Sequence, residues 1–298
     1  MIIWNSIKHN YNLENSFSYF DGEYEFVNDN GKLFLVCCVE NVNLFNNILP
    51  FFNNSVFFYK VVNNIFGSKI TCYDGSYYIL VEYENRSENI YYLIRNYDIF
   101  KTAIKGECRW RDSWIDRCEL IERYYGYVVG KYDFIDESID YYYGMLELAI
   151  YYLRDFEYDG CLYIQHRYYK FDKVSFYNPG CVKLDIKERD FSNYLKKLFF
   201  SGTYRETNIL DIINENIDRY NFDFVIARLI YPDYYFDLFD KIVCDNSKFE
   251  SDVSSDKYKI KLCDIVSKVY DYEKYIISIY ELVSLKKDIK KVDFFNLH

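Results

Sequence analysis

The sequence predicts an α+β fold of two lobes, a small antiparallel β-sheet N-lobe followed by a larger, mainly helical C-lobe. Three observations lead there. Two hairpin signatures fall within residues 1–85. Apolar residues recur at helical spacing from about Trp114 onward. A polar run, Glu84-Asn85-Arg86-Ser87-Glu88, separates the two regimes and reads as a hinge. The expected division is 1–88 for the β-rich lobe and 89–298 for the helical lobe, together one domain.

In the first lobe, Tyr24–Val27 and Lys32–Val39 flank Asn28-Asp29-Asn30-Gly31, residues that accept the positive φ angles of a tight turn. A short helix is expected over Val42–Phe52. A second hairpin joins Lys69–Tyr73 to Tyr77–Tyr83 through Asp74-Gly75-Ser76. In the second lobe, Trp114, Cys118, Ile121 and Tyr125 recur at helical spacing, as do Tyr141, Met145, Leu148, Ala149 and Tyr152. Cys161–Ile164 reads as a short buried strand entering a loop at His166. Asp190 is placed to cap a helix whose face carries Phe191, Tyr194, Leu195 and Leu198. Further helices are expected over Ile209–Tyr220, Asp223–Ile230 and Tyr234–Ile242. A loop follows over Asn246–Asp256, then one final helix near Ile260–Leu285.

The bulk numbers exclude several classes. The 298 residues are half hydrophobic, enough for a substantial core. Net charge is −10, which disfavours nucleic-acid binding because phosphate backbones would be repelled. No apolar run approaches the roughly 18 residues a membrane span needs. Met1–Ser6 shows no basic region followed by an apolar stretch, so a cytoplasmic chain is expected. The nine cysteines form no CxxC pair, and reduced, mostly buried thiols are expected. His9, His166 and His298 do not cluster near any cysteine pair, so no metal site is expected. The 36 tyrosines and 25 phenylalanines, with abundant Asn, Ile and Lys, have A/T-rich codons and fit a low-GC bacterial genome.

Four stretches carry a family resemblance. They are Arg109-Trp110-Arg111-Asp112-Ser113-Trp114-Ile115-Asp116-Arg117, Ile164-Gln165-His166-Arg167, Asp185-Ile186-Lys187-Glu188-Arg189-Asp190-Phe191-Ser192-Asn193-Tyr194, and Ala227-Arg228-Leu229-Ile230-Tyr231-Pro232-Asp233-Tyr234-Tyr235-Phe236. In this order the chain resembles the YutH-type spore coat proteins, relatives of the CotS coat proteins with an aminoglycoside phosphotransferase or protein-kinase-like fold. The resemblance implies a protein made in the mother-cell cytoplasm and assembled into the spore coat, with other coat proteins as partners.

A working phosphotransferase of this fold uses a His-x-Asp-x-x-x-x-Asn loop, a second Asp for magnesium and a strand lysine for the phosphates. Here His166-Arg167-Tyr168 is followed by Tyr169-Lys170-Phe171-Asp172-Lys173. Tyrosine stands in the Asp place, and a neutral phenol is a poor base near pH 7. Lysine stands in the Asn place, where it would repel magnesium. Asp172 is wrongly spaced, and Asn178 would serve only if the loop were rearranged. Asp185 occupies the place of the metal-binding Asp, as a residual cation ligand or as a hydrogen-bonded carboxylate at a strand end. His166 is expected to hold loop geometry, because no acidic orienting partner is evident. Leu33–Val39 contains no internal lysine, and Lys32 lies only at its start. A glycine-rich phosphate loop is absent. Arg189 and Arg228 are structural candidates. Arg228 is either exposed or paired internally, with Asp190 or Asp185 as the partner considered. Pro232 is expected to break a helix, with the neighbouring aromatics packed around the break.

The leading expectation is therefore a catalytically inactive, kinase-like coat or interaction protein with no cofactor. The alternative is an ATP- and magnesium-dependent small-molecule phosphotransferase with a rearranged loop. A third reading is an adaptor in a non-sporulating cell.

Overall fold

The computed structural model describes residues 2–13, 17–20, 23–27, 32–52, 59–83, 101–166, 179–205, 207–247 and 252–291. The turn at 28–31, the hinge at 84–88 and the segment 167–178 lie outside them. The chain divides into two compact units, Met1–Lys105 with Cys161–Asp190, and Gly106–Gly160 with Phe191–His298. This division is discontinuous, unlike a single boundary at residue 88. The 3-10 turn Pro179–Cys181 packs on the strand Leu33–Cys38 and the helix Val42–Phe52, which draws the hairpin around it into the first unit.

The first unit opens with helix α1 (Ile2–Tyr11), which the strand-rich reading of this region did not anticipate. Strands β1 (Phe17–Phe20), β2 (Glu23–Val27) and β3 (Leu33–Cys38) form an antiparallel meander. After α2 (Val42–Phe52) come β4 (Tyr59–Val62), β5 (Thr71–Tyr73) and β6 (Ser76–Tyr83), giving the order β1-β2-β3-β6-β4 with β5 also on β6. Asp74 and Gly75, at φ 48° and 72°, make the β5–β6 turn, which suits the Asp-Gly pair because glycine meets no Cβ clash there. Strand β3 is buried on both faces. Phe34 and Val36 join Ile7, Tyr11 and Leu80 in one cluster, while Leu35 and Cys37 are buried on the opposite face. That double burial accounts for its unbroken apolar run.

A second, three-stranded sheet has the order β7-β8-β9, built from Lys101–Glu107, Asp159–His166 and Val182–Asp185.

The other unit is helical. It contains α3 (Trp110–Val128), the short α4 (Asp133–Asp136), α5 (Ile139–Tyr152) and most of α6 (Glu188–Phe200). These are followed by α7 (Ile209–Asn216), α8 (Phe222–Ile230), α9 (Asp233–Ser247), α10 (Asp252–Ser267) and α11 (Val269–Ser284). The single final helix of the sequence reading is two helices that break at Lys268. Of the expected Asn246–Asp256 loop, residues 246–247 end α9 and residues 252–256 open α10, while 248–251 lie outside the described residues.

Tyrosine and phenylalanine form much of this core. Trp114 stacks on Tyr231 at 4.6 Å, Tyr142 on Tyr235 at 3.9 Å and Phe191 on Tyr220 at 4.3 Å. Buried hydroxyls find acceptors: Tyr272 Oη donates to Leu229 O, Tyr275 Oη to Leu195 O, and Tyr152 Oη to Asp223 Oδ1. The thiols depart from expectation. Among the described cysteine side chains Cys37 is buried, whereas Cys38, Cys72 and Cys263 are exposed. Cys38 is the last residue of β3, where the burial of the strand ends.

Candidate functional site

Strands β8 and β9 pair antiparallel, with Tyr163 opposite Asp185 and His166 opposite Val182. Helix α6 starts at Glu188, so its first turn lies over this ladder. His166 Nδ1 is 2.6 Å from Asp190 Oδ2, and the His166 amide donates to both Asp190 oxygens at 3.1 and 3.2 Å. A carboxylate only accepts, so Nδ1 carries the hydrogen. The Asp190 amide donates to Gln165 Oε1 at 2.9 Å. Arg189 donates from Nε to His166 O at 3.0 Å and from Nη1 to Asp185 Oδ2 at 3.2 Å. Lys183 Nζ lies 2.7 Å from the same oxygen, and Asp185 Oδ1 accepts from the Ile186 amide at 2.9 Å.

This arrangement changes several sequence expectations. Asp190 is not the helix cap. It is the third helical residue, and its carboxylate holds the end of β8 instead of helix amides. Its charge in the first turn still complements the helix dipole. His166 does have an acidic partner, 24 residues away in sequence. The His166 and Asp190 side chains are 2% and 0% exposed. Arg167 and Tyr168 lie outside the described residues, as do Asp172 and Asn178. Lys32 donates to Glu82 at 2.5 Å across β3 and β6.

Arg228 pairs inside the helical unit, with Asp233 (Nη2 to Oδ2, 3.0 Å) and Asn193, not with Asp190 or Asp185. Asp233 Oδ1 also takes the buried Lys196 Nζ at 2.6 Å, and the Lys196 ammonium donates to Tyr231 O. Burial pulls the Lys196 pKa down to about 8, although Asp233 favours the charged form. The Tyr231-Pro232 break therefore joins α8 to α9 beside an ion-pair knot.

The sequence reading passed over Gln165 and Lys183. Both left signals. Gln165 is a polar residue closing an apolar strand, and Lys183 stands two residues before Asp185, on the same strand face.

Magnesium and ATP chemistry requires a carboxylate open to a divalent ion. Asp185 does not fit that role here. Lys183 is 36% exposed along its side chain and can swing into water. Arg189 is 11% exposed and also tied to His166 O, so it cannot leave without abandoning that carbonyl. In this structure the Asp185 carboxylate is paired with both Arg189 and Lys183.

Neither a family profile nor a curated protein sequence matches the chain. Solved structures do. An aminoglycoside phosphotransferase from Alicyclobacillus acidocaldarius matches at 10% identity and TM-score 0.63, covering 93% of this chain and 95% of that one. A spectinomycin phosphotransferase crystallised with ADP and spectinomycin matches at 10% identity and TM-score 0.53, covering 86% and 92%. The fold is thus aminoglycoside phosphotransferase-like, a kinase-like α+β class with a small antiparallel sheet and a mainly helical part.

Proposed function

We propose that this chain is a catalytically inactive member of the kinase-like class that acts by binding other proteins, in a spore coat-type structural role. The observation carrying the inactive reading is the Asp185 carboxylate, held by Arg189 and Lys183 where a phosphotransferase needs a magnesium ligand. The sequence supports it, with Tyr168 in the place of the catalytic Asp and Lys173 in the place of the metal-binding Asn. The coat role is supported by the ordered likeness of the four motifs to YutH-type proteins.

Thermal melting with and without ATP and magnesium tests the first part. A nucleotide at one hundred times its dissociation constant would stabilise by about 2.7 kcal/mol. No shift at millimolar nucleotide is expected. A magnesium-dependent shift that Asp185→Ala abolishes would establish the phosphotransferase reading instead. For the coat role, a tagged chain in its source cell is expected to appear during sporulation and collect around the forespore. Constant expression in a cell that never sporulates would end that reading.

A further inference from the structure

Strands β4 and β5 pair with one edge of β6, opposite the edge that β3 occupies. Pairing runs to Val62 opposite Leu80 and resumes with Thr71 opposite Tyr78. Residues 63–70 leave the sheet between these points, an excursion the ladder itself does not require.

The excursion is rigidly built. Asn64, 8% exposed, accepts through Oδ1 from the amides of Phe66 and Ser68 at 3.1 and 2.9 Å. Its Nδ2 donates to Thr71 Oγ1 at 3.2 Å, and its amide donates to Ser68 O at 2.7 Å. The Ile65 amide donates to Asn10 O, tying the loop to α1, and Gly67 makes the turn at φ 78°. This frame holds Ile65 and Phe66 outward, 51% and 77% exposed. Phe66 is the most exposed aromatic side chain among the described residues.

The chain segments that carry this tip are basic in sequence. Helix α1 and residues 59–73 contain Lys8, Lys60 and Lys69 and no acidic residue, in a chain of net charge −10. Lys60 and Lys69 are close enough that the charge on Lys60, after burial, lowers the pKa of Lys69. The carboxylate opposite Lys60 in register is Glu82, which Lys32 engages at 2.5 Å. Asp74 lies at the neighbouring hairpin turn.

We propose that the Ile65-Phe66 tip is a peripheral anchor for an anionic lipid surface, with the two side chains entering the interfacial layer and the lysines facing the headgroups. Two apolar side chains are too small a patch for a stable protein interface, which buries on the order of 1,200–2,000 Å². An apolar wedge flanked by lysines instead suits a membrane interface, where apolar insertion and attraction to acidic headgroups act together. The inference is independent of whether the chain binds nucleotide.

Co-sedimentation of the full chain with lipid vesicles tests it. The chain is expected to pellet with vesicles containing phosphatidylglycerol, less so at high salt, and not with phosphatidylcholine alone. Phe66→Ser should weaken that binding about tenfold, as loss of one inserted aromatic implies. Lys60→Glu combined with Lys69→Glu should weaken it comparably, and Leu285→Ser, at a residue 82% exposed elsewhere, should leave it unchanged. An unchanged melting temperature confirms that Phe66→Ser is folded. Failure to pellet, equal binding to neutral vesicles, or undiminished binding by Phe66→Ser would overturn the proposal. So would Phe66-dependent self-association without lipid binding.

Discussion

Replacing Asp185 with asparagine separates an internal carboxylate from a metal ligand. The residue is 5% exposed and bonded to Arg189, to Lys183 and to the Ile186 amide. Removing one partner of a buried ion pair costs about 3–5 kcal/mol, because the other charge is left behind. Two features reduce that here. Lys183 can reach water, and Arg189 keeps its bond to His166 O. Asparagine can still accept from Ile186, but its neutral amide presents no negative charge to the guanidinium. The expected loss is about 2–3 kcal/mol, which for a chain of this size lowers the melting temperature by roughly 3–5 °C. Calorimetry at neutral pH with and without magnesium measures it, and magnesium is expected to change neither protein. The companion Arg189→Met should couple with Asp185→Asn in a double-mutant cycle, since the residues touch. A metal site behaves oppositely: its carboxylate destabilises the empty protein, so Asp185→Asn would raise stability and erase stabilisation by magnesium. That pair of results would refute the ion-pair argument.

Two further outcomes follow from the helical unit. Arg228→Met, which strips Asp233 of one cation and removes a guanidinium 5.5 Å from the Trp110 ring, should cost about 2–4 kcal/mol in urea unfolding. The value stays below the full penalty because Lys196 remains on Asp233, and a loss under about 1 kcal/mol would contradict the knot. Burial raises the phenols of Tyr152, Tyr272 and Tyr275 well above their usual 10.0. Because the folded pKa exceeds the unfolded one, their contribution to stability is complete below pH 10 and is lost as pH climbs toward the folded values. Absorbance of tyrosinate at pH 11 should therefore rise sharply on adding denaturant; full ionisation in the native state would count against this burial.

Local chemistry made much of the architecture readable. The Asp74-Gly75 turn, the β3 run, α2 over Val42–Phe52 and the break at Pro232 each follow from preferences contained in a few adjacent residues. The unanticipated α1 and the split of the last helix at Lys268 show where such preferences run out. At the site, residue types in sequence singled out Asp185, Asp190, Arg189 and Arg228.

Partnership was another matter. His166 meets Asp190 across 24 positions, and Arg228 chooses Asp233 over Asp185 or Asp190. Likewise, Phe66 is held outward only because Asn64 gathers its loop and Asn10 anchors it. The order of residues alone settled which side chains were present and the local backbone shapes they favour, since those depend on near neighbours. Which charge neutralises which was decided by packing, because burial fixes distances that the linear chain leaves open and makes each unmatched charge costly.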